Sequence, residues 1–253
     1  MKVFYFTSTG NGLSLARKTG GECISIPQAL RSDTKEYKDD AIGFIFPVYD
    51  GTVPRIMEKF LSSKKFEAEY FFAVALYGFF SGAAVMNFEK LAAKYNVKLD
   101  YTDEIKMVDN YLPLFSIEKE LEKVPSKKIE ENTERILQNI NTRTHSLKKL
   151  TFVKAAGTFL EKPMLHKTNS GKAAHDFTVN ENCVKCGTCV RVCPAGNVTL
   201  SDHVSFGDAC YSCFACVHAC PKNAIHVKGE RSSKRWRNQE VTLKDLMDSN
   251  NQH

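Results

Sequence analysis

No low-complexity segment interrupts the 253 residues, tryptophan occurs once, and no long apolar run is free of breakers. The first apolar stretch, residues 3–6, is too short for the hydrophobic region of a secretion signal. The longest uncharged stretch, residues 70–88, is long enough to cross a bilayer. Gly78 and the pair Ser81-Gly82 interrupt it, however, and Asn87 lies near its end. Val85, Phe88, Leu91, Ala92 and Tyr95 continue from it at helical spacing. A buried strand, a glycine loop and an amphipathic helix are therefore expected there, with no membrane span. A cytoplasmic, reducing location is expected.

Cysteine, in contrast, is plentiful and patterned. Eight of the nine cysteines form two copies of C-x2-C-x2-C-x3-C-P: Cys183, Cys186, Cys189, Cys193 and then Cys210, Cys213, Cys216, Cys220, each closed by proline. Every member of the second copy lies 27 residues after its partner, and Val190/Val217 and Val198/Ile225 extend the repeat beyond the cysteines. A duplicated folding unit is expected. Structural zinc modules space their C-x2-C pairs by a dozen or more residues, which fits poorly. Disulfides would require an exported chain. The remaining cysteine, Cys23, sits in an alternating apolar stretch and reads as a small core residue.

The double run resembles the ligand pattern of two-cluster bacterial ferredoxins. In that pattern the first three cysteines of a run hold one [4Fe–4S] cluster and the fourth holds the other. The resemblance implies Cys183, Cys186, Cys189 and Cys220 for cluster 1, and Cys193, Cys210, Cys213 and Cys216 for cluster 2. With eight thiolates supplied, His203, His218 and His226 are not needed on iron.

At the other end of the chain, an apolar run leads into Thr7-Ser8-Thr9-Gly10-Asn11-Gly12 and then a helical pattern. Strand, small-residue turn and helix make a phosphate cradle of backbone N–H groups and hydroxyls. The loop lacks the lysine of a nucleotide-hydrolysing loop. Leu15 stands where a dinucleotide fingerprint has its third glycine. Further strands are expected at residues 22–26, 41–46 and 71–76 and somewhere within 97–108. Helices are expected near 55–61 and 83–95, and a closing helix over 117–147. The alternation implies a parallel, doubly wound α/β sheet with its ligand site at the carboxyl ends of the strands. Three loops lie there: residues 7–12, the segment containing Pro47, Val48, Tyr49, Asp50 and Gly51, and the segment from Tyr77 through Gly78 to Phe79.

Thr7-Ser8-Thr9-Gly10-Asn11 resembles the FMN-phosphate loop of flavodoxins, Ser/Thr-x-Thr-Gly-x-Thr, departing at Gly12. The resemblance implies a five-stranded sheet in the order 2-1-3-4-5, Tyr49 on the inner flavin face, and Phe79 on the outer face, with Phe80 as its alternative. It also implies that the peptide Asp50-Gly51 responds to the flavin's redox state. As a whole, the chain resembles ferredoxin–flavodoxin fusion proteins. Asp109-Asn110-Tyr111-Leu112-Pro113 and the Arg-rich segment around Trp236 share in that resemblance. The expected organisation is a flavodoxin-like FMN-binding domain over 1–147 and a basic linker over 148–175 containing Gly157, Pro163 and Gly171. A small α+β two-cluster ferredoxin domain over 176–230 and a basic tail over 231–253 follow.

The formal charge of +6 belongs to the chain alone. Two oxidised clusters with their thiolates carry about −2 each, and a flavin phosphate about −2 more, so the basic balance is weak evidence for nucleic acid, and none is expected as a partner. The expected function is electron transfer between two [4Fe–4S] clusters and FMN, with redox proteins as donor and acceptor. The alternative is an FMN-dependent reductase of a small molecule fed by its own ferredoxin half. Tyr49, Asp50, Asn110 and Tyr111 would be its possible proton donors.

Overall fold

The protein is described by a computed structural model covering residues 1–149 and 171–253. Most of the expected linker, with Gly157 and Pro163, lies outside the described residues.

The N-terminal half is built on a five-stranded sheet. Its strands are β1 (Lys2–Tyr5), β2 (Glu22–Ser25), β4 (Ala41–Pro47), β6 (Tyr70–Tyr77) and β7 (Tyr101–Lys106), in the order β2-β1-β4-β6-β7. Every neighbouring pair is parallel. The central strands β4 and β6 are almost wholly buried, as their unbroken apolar sequence requires when both faces of a sheet are covered. Gly43 in β4 is part of that packing. A Cβ there would lie 2.0 Å from the Phe72 ring of β6. Helices α1 (Asn11–Lys18), α2 (Ile26–Arg31), α3 (Arg55–Ser63) and α4 (Ala84–Lys94) connect the strands. Residues 70–88 are strand, glycine loop and the first turn of α4. Among the described residues no helix is long and apolar enough to cross a membrane.

Two elements differ from expectation. A parallel pair of three-residue strands, β3 (Glu36–Lys38) and β5 (Lys65–Glu67), stands apart from the main sheet. It brings the rings of Tyr37 and Phe66 together at 6.1 Å, over Phe4. Each strand carries one inward apolar residue between two charged ones, too little for a periodic signal. The single closing helix is broken into α5 (Ile117–Glu122), α6 (Val124–Lys127) and α7 (Ile129–Asn141). Pro125 sits at the start of α6, where its missing N–H costs least, and Lys128 turns with φ 49°.

The C-terminal half contains two antiparallel pairs, β8 (Phe177–Val179) with β11 (Ile225–Val227) and β9 (Val198–Leu200) with β10 (Val204–Phe206). Its short helices α8 (Thr188–Arg191) and α9 (Ala215–Ala219) each begin inside a cysteine run. Beyond them the chain returns to the first half. Helix α10 (Leu243–Asn250) opens with a Thr242/Asp245 capping box and buries Leu246 and Asn250 against it. Arg17 pairs with Asp245 at 2.5 Å and Lys18 with Glu240 at 2.6 Å. Two cations of the tail are also engaged. Arg235 pairs with Glu230 at 3.1 Å, and Arg231 donates to Pro113 O.

Candidate redox site

The three expected loops converge at the carboxyl ends of the strands and wall one cleft. Thr7, Ser8, Thr9, Asn11, Gly12, Pro47, Val48, Tyr49, Asp50, Gly51, Tyr77, Gly78 and Phe79 all line it. Gly10 does not. With φ 104° it turns toward the tail, and a Cβ would stand 2.9 Å from Val241 Cβ. Gly12 is required for another reason: a Cβ would lie 2.4 Å from Phe6 O.

Within the first loop, Thr7 Oγ1 accepts from the N–H groups of Gly10 and Gly12. Thr9 Oγ1 accepts from Asn110 Nδ2 at 2.8 Å. The outside of the loop is held by the tail. Thr9 O accepts from Asn238 N, and Thr7 O from Asn250 Nδ2. The second loop is a two-residue turn. Tyr49 and Thr52 exchange backbone hydrogen bonds at 3.1 and 3.0 Å, with Asp50 at φ 48° and Gly51 at φ 68°, a type I′ geometry. Gly51 packs on Gly82, where a Cβ would be 2.5 Å from Gly51 O. The Tyr49 ring meets Phe6 edge-on. Its hydroxyl is enclosed beside Ser8 without a well-formed hydrogen bond, and burial raises its pKa well above 10.0. Phe79 is 69% exposed and leans on Phe115 at 5.7 Å, so it is not part of the core. Phe80 lines the same cleft.

A fourth wall is formed by residues 107–111 after β7, a segment the sequence marks through Asn110 and Tyr111 as possible proton donors. Asp109 packs over Gly78, where a Cβ would come within 2.1 Å of Asp109 Oδ2. Burial, then the charge of Asp109, push the Asp50 carboxyl up to about 6. Asp109 is itself raised by burial and by Glu120. The fifth contribution comes from the far end of the chain: Ser212 and Phe214, inside the second cysteine run, line the cleft.

The cysteines fall into two cavities. Cys193, Cys210, Cys213 and Cys216 line one, with Phe177, Phe206, Tyr211 and Phe214. Cys183, Cys186, Cys189 and Cys220 line the other, with Val204, Ala224 and Ile225. Backbone N–H groups of Asn197, Ser212 and Ala224 donate to the sulfurs of Cys193, Cys210 and Cys220 at 3.2–3.3 Å. Such donors stabilise thiolates. Burial opposes them, pushing Cys189 up to about 11 and Cys213 and Cys216 higher still. Four thiolates in an apolar cavity need a positively charged partner, and iron supplies one. The donor set fits a cluster in each cavity. Cys23 lies in β2, half-buried among core residues and outside both cavities.

His218, between Cys216 and Cys220, hydrogen-bonds Asn110 O through Nε2 at 2.8 Å. Its Nδ1 accepts from Trp236 N. This fixes the proton on Nε2, and burial lowers the pKa to about 4. Asn110 therefore joins the cysteine-bearing helix α9 to Thr9 of the first loop.

Residues 135–239 match a family model described as a 4Fe-4S dicluster domain. A search of curated proteins found no match to the chain. The C-terminal part is thus an iron–sulfur, ferredoxin-type electron-transfer unit, joined to an α/β half whose sheet is parallel.

Proposed function

We propose that this chain relays electrons between two [4Fe–4S] clusters and an FMN held in the cleft of a flavodoxin-like half. The observation that carries the reading is Phe214. Its ring belongs to the wall of the cleft and to the wall of the cavity formed by Cys193, Cys210, Cys213 and Cys216. Cubane clusters exchange one electron each, whereas FMN takes one or two, so their fusion couples single-electron carriers to a two-electron acceptor.

Several features support the flavin part. Counted within their own sheet, the strands run second, first, third, fourth, fifth, the order the resemblance implies. The loop of residues 7–12 offers hydroxyls and N–H groups where an anion would sit at the start of α1. Tyr49 and Phe79 stand on the walls of one cleft. The crossed ligand sets are supported by the two cavities, each lined by three cysteines of one run and the last of the other. Domains at 1–147 and 176–230 and a cytoplasmic setting belong to the same reading. Asp50, protonated up to about pH 6 on the cleft wall, is the feature that favours the reductase alternative.

Anaerobic purification followed by metal, sulfide and flavin assays tests the proposal. About eight irons and eight sulfides per chain, with FMN released on denaturation, are expected. Zinc in place of iron, or loaded clusters with no affinity for FMN, would refute the relay.

A further inference from the structure

The two cysteine runs have the same backbone shape in opposite surroundings. Lys185 and Ser212, equivalent in the repeat, take φ 54° and 56°, and Gly187 and Phe214 take 74° and 58°. Around the second run everything from Ser212 to Ala219 is buried. Its protruding residues meet the α/β half: Tyr211 against Phe6, Phe214 against Tyr111, and His218 on Asn110 O. Phe214 even accepts a left-handed conformation, unfavourable for a side chain with a Cβ, with its ring placed there. Around the first run, residues 184–186 are exposed, Val184 by 57%, and Cys186 lies at the surface. The face that the second copy uses against the cleft is thus left open in the first.

The open copy differs from the covered one in charge. Lys185 stands for Ser212, Arg191 for His218, and Lys222 for Ala195. All three cations are exposed, and among the described residues none pairs with a carboxylate. Lys185 and Lys222 line the cavity of Cys183, Cys186, Cys189 and Cys220, and Arg191 reaches Cys186 O. Acidic residues do not cancel the difference. Glu181 is matched by Asp208, and Asp202 by Glu230 one position further along.

We propose that the surface around Val184, Lys185, Arg191 and Lys222 is the docking port for an acidic one-electron carrier protein, which exchanges electrons with the cluster behind Cys186. This rests on the relay reading and orders it: surface port, outer cluster, inner cluster, flavin cleft. In the entering direction the carrier is oxidised by one electron and the outer cluster reduced by one. No bond is made and no proton is required. An exposed apolar residue flanked by exposed cations suits such a partner, because charge complementarity steers encounter and an apolar contact excludes water.

The test uses the full chain, loaded with clusters, and a small acidic two-cluster ferredoxin as probe. Calorimetric titration with the oxidised probe measures docking without electron transfer, and stopped flow with the reduced probe measures the rate. Lys185→Glu/Lys222→Glu is compared with Lys90→Glu/Lys98→Glu, which makes the same charge change on exposed positions of the α/β half. At low salt the port variant should bind and react at least about tenfold more weakly than wild type, and its salt dependence should flatten. The control should stay within about twofold. Equal behaviour of the two variants, or a salt-independent wild type, overturns the port. Iron content and the dithionite-reduced spectrum are read on the same samples. A chain that holds no clusters defeats the relay itself, whereas loaded clusters with unselective docking defeat the port alone.

Discussion

Thr9 offers the most direct test of the flavin cleft. Its side chain is 2% exposed, and Asn110 Nδ2 donates to its Oγ1 at 2.8 Å. That bond leaves the hydroxyl's own proton free to donate, and Thr9 is on the cleft wall, in the loop proposed to hold a phosphate. Thr9→Val keeps the shape and removes both functions. Loss of the Asn110 bond costs about 1 kcal/mol net, and a donor to a charged acceptor about 1.5–3 kcal/mol. Since 1.4 kcal/mol is a factor of ten, the two losses together, about 2.5–4 kcal/mol, should weaken FMN binding by about sixty- to seven-hundredfold. Riboflavin, which has no phosphate, should lose only the positioning part, about threefold to tenfold. Quenching of flavin fluorescence, titrated with both ligands into flavin-free protein, gives the two constants. Asn110→Ala and the double variant complete a cycle in which the pair should couple by about 1 kcal/mol. Equal losses for FMN and riboflavin in Thr9→Val would refute the assignment of the phosphate to this loop.

Three further outcomes follow from the same geometry. Cys193→Ala should destroy the cluster whose other ligands are Cys210, Cys213 and Cys216, leaving about four irons. An EPR spectrum showing loss of the exposed cluster instead would uncross the ligand sets. Gly51→Val places a β-branched residue at φ 68°, at a cost of about 1–3 kcal/mol. An unchanged urea midpoint would contradict the turn. The Asp50 carboxyl is raised from 3.8 to about 6 by burial and Asp109, so the folded state binds its proton more tightly than the unfolded chain. Its contribution therefore favours the fold below about pH 4 and is lost as pH rises through about 6. Asp50→Asn should be flatter than wild type across that window when urea midpoints are compared. Parallel curves would show that Asp50 titrates normally.

What the chain's letters determine by themselves is what depends on local spacing and on burial pattern. Two runs of C-x2-C-x2-C-x3-C need only near neighbours to bring three sulfurs around each cavity, so the thiol groups were legible. The strands β4 and β6 were legible because strands covered on both faces must be apolar throughout. Glycine-rich loops at their ends announced the cleft. The break at Pro125 was also written locally, although residues 117–147 read as one helix on the spacing of Ile129, Ile136 and Ile140.

Tertiary structure decided the rest. Nothing in the spacing of Thr9 and Asn110, 101 residues apart, or of Thr7 and Asn250, 243 apart, reveals that they bond. Single polar contacts leave no periodic trace, and so the tail gave no sign that it closes over the first loop. The strands β3 and β5 are too short to show a period and exist because Tyr37 and Phe66 complete the packing around Phe4. The repeat foretold two equivalent cysteine runs but not which of them would face the cleft. That choice was made when Phe214, at the position that is Gly187 in the other copy, found Tyr111 and Phe177 to pack against. Contacts between the two halves of the chain depend on matching surfaces that exist only after each half has folded, and a linear pattern carries no record of them.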